Sequence, residues 1–138
     1  MNTQSNISGF LDAYKASNLA SVEPEIKTTL NNIVENINIA KSQLGQFQSE
    51  SVRSNIEKLL ISATAQQENK EQQLKEIGLI FESLLNDLLK NKTEDLKQVQ
   101  ISVKKSIFQY LLIAQKLDSL SVKNIGISLG KRLSQERG

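Results

Sequence analysis

Between Ile56 and Leu88, the residues Ile56, Leu60, Ala63, Gln67, Lys70, Leu74, Ile77, Phe81, Leu84 and Leu88 follow alternating steps of four and three. That repeat keeps one face of an α-helix turned toward a partner. No glycine or proline interrupts it before Gly78, so the spacing predicts one long coiled-coil-like helix to about Lys90, spanning about 60 Å. Its middle, Thr64 to Gln73, is almost wholly polar, and a hairpin at Asn69 is the alternative. Gln67 and Lys70 sit beside Leu74 on the stripe. Polar residues at seam positions can fix register or oligomeric state, so Gln67, Lys70 and Leu74 are the expected seam of a homo-oligomer.

Other stretches repeat the pattern. Ile7, Phe10, Leu11 and Tyr14 predict a short first helix within residues 1–20. Pro24, the chain's single proline, reads as the first turn of a second helix, because proline is tolerated there and Glu23 and Glu25 suit the positive end of the helix dipole. Ile26, Leu30, Ile33, Ile37, Ala40, Leu44 and Phe47 give that helix its face. Gly45 to Ser54 predicts a turn, with Ser49, Ser51 and Ser54 as candidate N-caps and Ser54 with Glu57 spaced as a capping box. Thr93 is the expected N-cap of a fourth helix, followed by Glu94 and Asp95.

In that fourth helix, Leu96, Val99, Val103, Ile107, Tyr110, Ala114 and Leu117 form one stripe, and Ile101, Phe108 and Leu112 form a second. A helix apolar nearly all round is one packed between several neighbours. The region 107–114 is therefore expected at the centre of the bundle. Ser119 or Ser121 caps a last helix in which Gly126 and Gly130 weaken helical propensity by about 1 kcal/mol each. The fold class is all-α: an antiparallel bundle of four to five helices in a single domain, 1–138, with a bundle of three longer helices over 21–118 and a basic helix or tail over 119–138.

Composition narrows the function. With no cysteine or histidine, the chain lacks thiol nucleophiles, the usual zinc ligands and the commonest general base. The carboxylates Glu68, Glu71, Glu82 and Asp87 stand among polar helix residues and read as a solvated face. No catalysis, cofactor or metal is expected. The opening residues carry no signal-peptide pattern and no apolar run reaches membrane-spanning length, so the expected compartment is the cytoplasm.

The net charge of +2 conceals a gradient: residues 1–96 hold 9 basic and 13 acidic residues, and residues 97–138 hold 8 basic and 2 acidic. The expected function is that of an interaction or assembly protein, such as an adaptor, secretion chaperone or complex subunit. Its expected partner face is Val122, Ile125, Leu129 and Leu133, flanked by Lys123, Lys131 and Arg132. The alternatives are a basic subunit gripping RNA or DNA backbone without base readout, and, less in keeping with the mean hydropathy of −0.33, a membrane-active helical protein.

Overall fold

The computed structural model describes residues 3–45, 49–90 and 96–135, with the side chains of 3–12, 15 and 16 left aside. Among the described residues there are five α-helices and no strand: α1 Thr3–Gln43, α2 Glu50–Thr64, α3 Lys70–Lys90, α4 Lys97–Lys116 and α5 Leu120–Gln135. They pack as an antiparallel ring. α1 lies between α2 and α4, α2 pairs with α3, α3 with α5, and α5 closes back onto α4. Their buried apolar side chains form one continuous core.

Two boundaries differ from the sequence expectation. The long helix is α1 and not the Ile56–Leu88 stretch. α1 runs for 41 residues, about 60 Å, and passes straight through Pro24 where a restart was expected. Proline removes one backbone donor and crowds the carbonyl four residues back. Pro24 and Ala20 are both exposed, so the carbonyl that loses its donor faces water. The turn before Pro24 is also tied across the bundle, where Asn18 accepts a bond from the Asp118 N–H at 2.9 Å and donates one to the Lys116 carbonyl.

The Ile56–Leu88 stretch folds back on itself at residues 65–69. Ala65 turns to extended backbone (φ −64°, ψ 137°), and Asn69 restarts the helix by accepting from the Gln72 N–H at 3.0 Å. The fully buried Gln73 side chain then donates to the carbonyls of Ser62 and Ala65 at 2.8 and 2.9 Å. Those are acceptors left over at the end of α2, and they satisfy a buried amide that would be costly without a partner. The fold-back turns the two halves of the stripe toward each other. Ile56 and Ala63 of α2 and Leu74, Ile77, Phe81, Leu84 and Leu88 of α3 are buried, whereas Leu60 of the stripe is partly buried and its neighbour Leu59 takes the core position.

In α1 and along the first stripe of α4 the burial follows the spacing. Ile26, Leu30, Ile33, Ile37, Ala40 and Leu44 of α1 are buried, as is the row Leu96, Val99, Val103, Ile107, Tyr110, Ala114 and Leu117 along α4. Each large side chain so buried stabilises the fold by about 1.5–3 kcal/mol. Gly45 ends α1 with φ +54°, a left-handed conformation that a Cβ disfavours. Of the candidate serines, Ser49 caps α2 by accepting from the Val52 N–H. Ser119 caps α5 and donates to Glu71 of α3. The expectations for Phe47 and for Thr93, Glu94 and Asp95, and for the side chains of Ile7, Phe10 and Leu11, lie outside the described residues.

Two glycines mark where helices touch most closely. A Cβ at Gly78 would press on Ile125 and stand 2.5 Å from the Tyr110 hydroxyl, and one at Gly126 would stand 3.3 Å from the Cβ of Ala114. At Gly130 it would meet nothing. Gly78→Ala should therefore destabilise through overpacking, by about 1–3 kcal/mol. Gly130→Ala should stabilise by up to about 1 kcal/mol through helix propensity. Urea denaturation of the two variants checks the opposite signs.

Tyr110 crosses the centre of the ring. Its ring meets Phe81 edge-on with centroids 5.9 Å apart, and its hydroxyl donates to the Leu74 carbonyl at 2.8 Å. Burial pushes its phenol well above the ordinary tyrosine range, and the negative charge of Glu82 acts in the same direction. The neutral form is favoured by folding. Its contribution is complete below the unfolded-state value near 10, and above that pH it is lost at about 1.4 kcal/mol per pH unit. Tyr110→Phe should cost about 1 kcal/mol at pH 8, and the gap between the two proteins should shrink by pH 11 when both are unfolded in urea.

Candidate functional site

The residues expected to meet a partner are placed in two groups. Val122 and Leu129 are fully buried, and Ile125 and Leu133 are partly buried against the core, so the apolar face of α5 is spent on α3 and α4 of its own chain. Lys123 and Lys131 are exposed on the opposite side. Arg132 is half-buried and donates to Asn86 of α3.

The expected seam is taken apart by the fold-back. Gln67 lies in the α2–α3 connection, Lys70 is the first residue of α3 with its ammonium 3.4 Å from Gln73, and Leu74 is buried in the core. These three residues share no continuous helical stripe. A groove of about 330 Å³ runs between α1 and α4 past Pro24, Gln109 and Leu112, and one of about 780 Å³ lies beside the connection, lined by such residues as Glu23, Lys27, Gln66 and Glu68. Among the described residues no group of three or more acidic, histidine or cysteine side chains could hold a metal ion.

The second stripe of α4 also lies elsewhere than its spacing suggested. Ile101, Phe108 and Leu112 do not face neighbours: Phe108 is 52% and Leu112 58% exposed. The bundle is a ring, and α4 has neighbours on its inner face and its two flanks, which leaves its outer face to solvent. With Lys105 the exposed residues make a row at 101, 105, 108 and 112, again in steps of four and three. Next to it, α5 exposes Leu120, Asn124, Ile127 and Lys131 along its own outer row, with Ile127 57% exposed.

Between these two rows lies a groove of about 390 Å³, lined by Leu111, Ala114 and Gln115 of α4 and by Lys123, Gly126, Ile127 and Gly130 of α5. Gly126 brings α5 close to Ala114, and Gly130, with nothing above it, leaves the groove open. The electrostatics are one-sided. α4 carries four lysines and α5 two lysines and an arginine, and neither helix contains an aspartate or glutamate. Lys116 is paired with Glu25 of α1 at 2.8 Å, whereas Lys123 reaches the groove itself.

No protein family, characterised protein or solved structure matches the chain. No helix among the described residues is long and apolar enough to cross a membrane.

The sequence held a signal for this face, since Ile101, Phe108, Leu112, Leu120 and Ile127 all fall off the core stripes of their helices. Their exposure can be read in stability. Leu112→Ala and Ile61→Ala should each cost less than about 1 kcal/mol, because both side chains are more than half exposed and little apolar area is lost. Leu84→Ala, at 0% exposure, should cost about 2–5 kcal/mol. Midpoints of thermal unfolding for the three variants check that order.

Proposed function

We propose that this protein is a non-catalytic interaction or assembly subunit whose working surface is the outer face of α4 and α5. One observation carries the reading: the apolar side chains Ile101, Phe108, Leu112, Leu120 and Ile127 stand exposed on two adjacent helices whose charges are all positive. Clustered exposed apolar surface mixed with polar groups is characteristic of interfaces. Lysines at its edge would guide an oppositely charged partner and set its orientation while adding little affinity.

The absence of cysteine and histidine from the sequence supports binding over chemistry. The cytoplasm expected from the sequence belongs to the same proposal. The fold-back separates Gln67 and Lys70 from a continuous stripe, and the like charge of α4 and α5 disfavours a second copy on this face, so the reading is of a different protein as partner.

The test is affinity capture from the source cell with the wild type and two surface variants. Ile127→Glu, in the α4–α5 face, should abolish recovery of the specific partner. Leu79→Glu, at a half-exposed apolar side chain of α3, should leave recovery unchanged. Circular dichroism should show both variants as helical as the wild type. Equal loss in both, or in neither, would reject the assignment of the face.

A further inference from the structure

We infer that the α4–α5 groove takes an acidic amphipathic helix of a partner protein; this inference rests on the reading of that face as an interface and names what occupies it. The shape comes first. α4 and α5 are consecutive helices joined by the short connection Leu117–Ser119, and the groove follows both. From Lys123 to Gly130 it runs about two helical turns, the stretch over which a docked helix offers anchors at i, i+3 or i+4, and i+7. Its walls are Leu111 and Ile127, and Ala114, Gly126 and Gly130 are the small residues of its lining. A leucine or isoleucine of the incoming helix fits between the walls. Over Gly130, where even a Cβ meets nothing within 4 Å, the visiting backbone can come close to α5.

Charge selects the partner's other face. Lys123 lines the groove, Lys131 follows Gly130 as the next exposed residue of α5, and Lys105 stands in the outer row of α4. With no carboxylate on either helix, a helix bearing glutamate or aspartate beside its apolar stripe finds complementary charge along the α5 rim, and one bearing lysine finds repulsion alone.

The same cations would attract nucleic acid or an anionic bilayer, but the geometry favours the helix. A phosphate backbone laid between the rims would be pressed against Leu111 and Ile127, which offer it no hydrogen bond. A flat bilayer would meet the convex rows and leave the concave floor at Gly130 unfilled.

The experiment uses the full chain and a displayed library of helical peptides of about 18 residues. One helix face is varied among Leu, Ile, Ala and Gly, and the other among Glu, Lys, Gln and Ser. Selection should enrich Glu over Lys, and the selected peptides should bind at least about tenfold more weakly to Gly130→Leu, which fills the groove. They should also weaken with the paired reversal Lys123→Glu, Lys131→Glu, which should in turn raise binding of Lys-bearing peptides. The paired reversal decides the matter even if Gly130→Leu fails to fold.

Enrichment of lysine or of uncharged faces, or acidic binders indifferent to both variants, would overturn the inference. So would tighter binding to phosphatidylserine vesicles or to a single-stranded RNA oligonucleotide than to the best peptides. If no acidic helix is selected while Ile127→Glu still abolishes capture from cells, the face is an interface for other chemistry. The acidic-helix assignment then falls and the interaction reading stands.

Discussion

The fold depends first on a side chain that closes a hairpin. Gln73, fully buried, places its amide on the carbonyls of Ser62 and Ala65, so that its own buried donor is satisfied by acceptors left over at the end of α2. With that end satisfied inside the protein, the polar middle of the Ile56–Leu88 stretch can be a connection. Two apolar stripes then bury each other, a larger gain than one straight helix could obtain with Gln67 and Lys70 in the middle of its face. α2 and α3 become neighbours, and α3 is turned to receive α5.

Around the hairpin the ring is held by side-chain ties between neighbouring helices. Ser102 of α4 donates to Gln43 of α1 at 2.7 Å, and Asn55 of α2 donates to Asp87 of α3 at 2.7 Å. Lys41 of α1 pairs with Glu57 of α2 at 2.6 Å. The exposed pair adds little stability of its own, but hydrogen bonds between named positions fix how far one helix can slide along the next. Gly78 lets the Tyr110 hydroxyl and Ile125 approach α3 together. The inner face is therefore filled where α3, α4 and α5 converge.

A ring has an outside as well as an inside, and this is how α4 comes to carry two apolar faces with different fates. Its inner row is covered by α1, α5 and the hairpin. Among the described residues no helix covers the outer row, Ile101, Phe108 and Leu112, and Leu120 and Ile127 of α5 extend the exposed apolar surface. Surface of that kind costs solubility unless something covers it in use. The uniformly positive charge of the two helices limits self-attachment through this face, since a second copy would bring the same sign against it. A partner of opposite charge meets no such barrier.

The sequence by itself determined the all-α class, the core residues of α1, the inner row of α4, the caps at Ser49 and Ser119 as candidates, and the positive charge of the last third. These follow from local periodicity, capping chemistry and composition, which no neighbour alters. Tertiary structure alone decided three matters. Periodicity continued through Ala63, Gln67, Lys70 and Leu74 because a hairpin and a straight helix can share one heptad register, and the extended Ala65, the Asn69 cap and Gln73 bonding across the turn separate them. Pro24 read as a helix start, but a proline on the solvent side of an anchored helix leaves its orphan carbonyl to water. The apolar residues of α4 and α5 were legible as rows, yet which row became core depended on where α1 and α3 came to lie. The row assigned to a partner, Val122 to Leu133, is the one the protein buries, and of the two α4 rows expected in the core the second, Ile101, Phe108 and Leu112, is the one it exposes. Amphipathic spacing specifies that a face seeks cover, and only the packed chain specifies which faces its own helices reach.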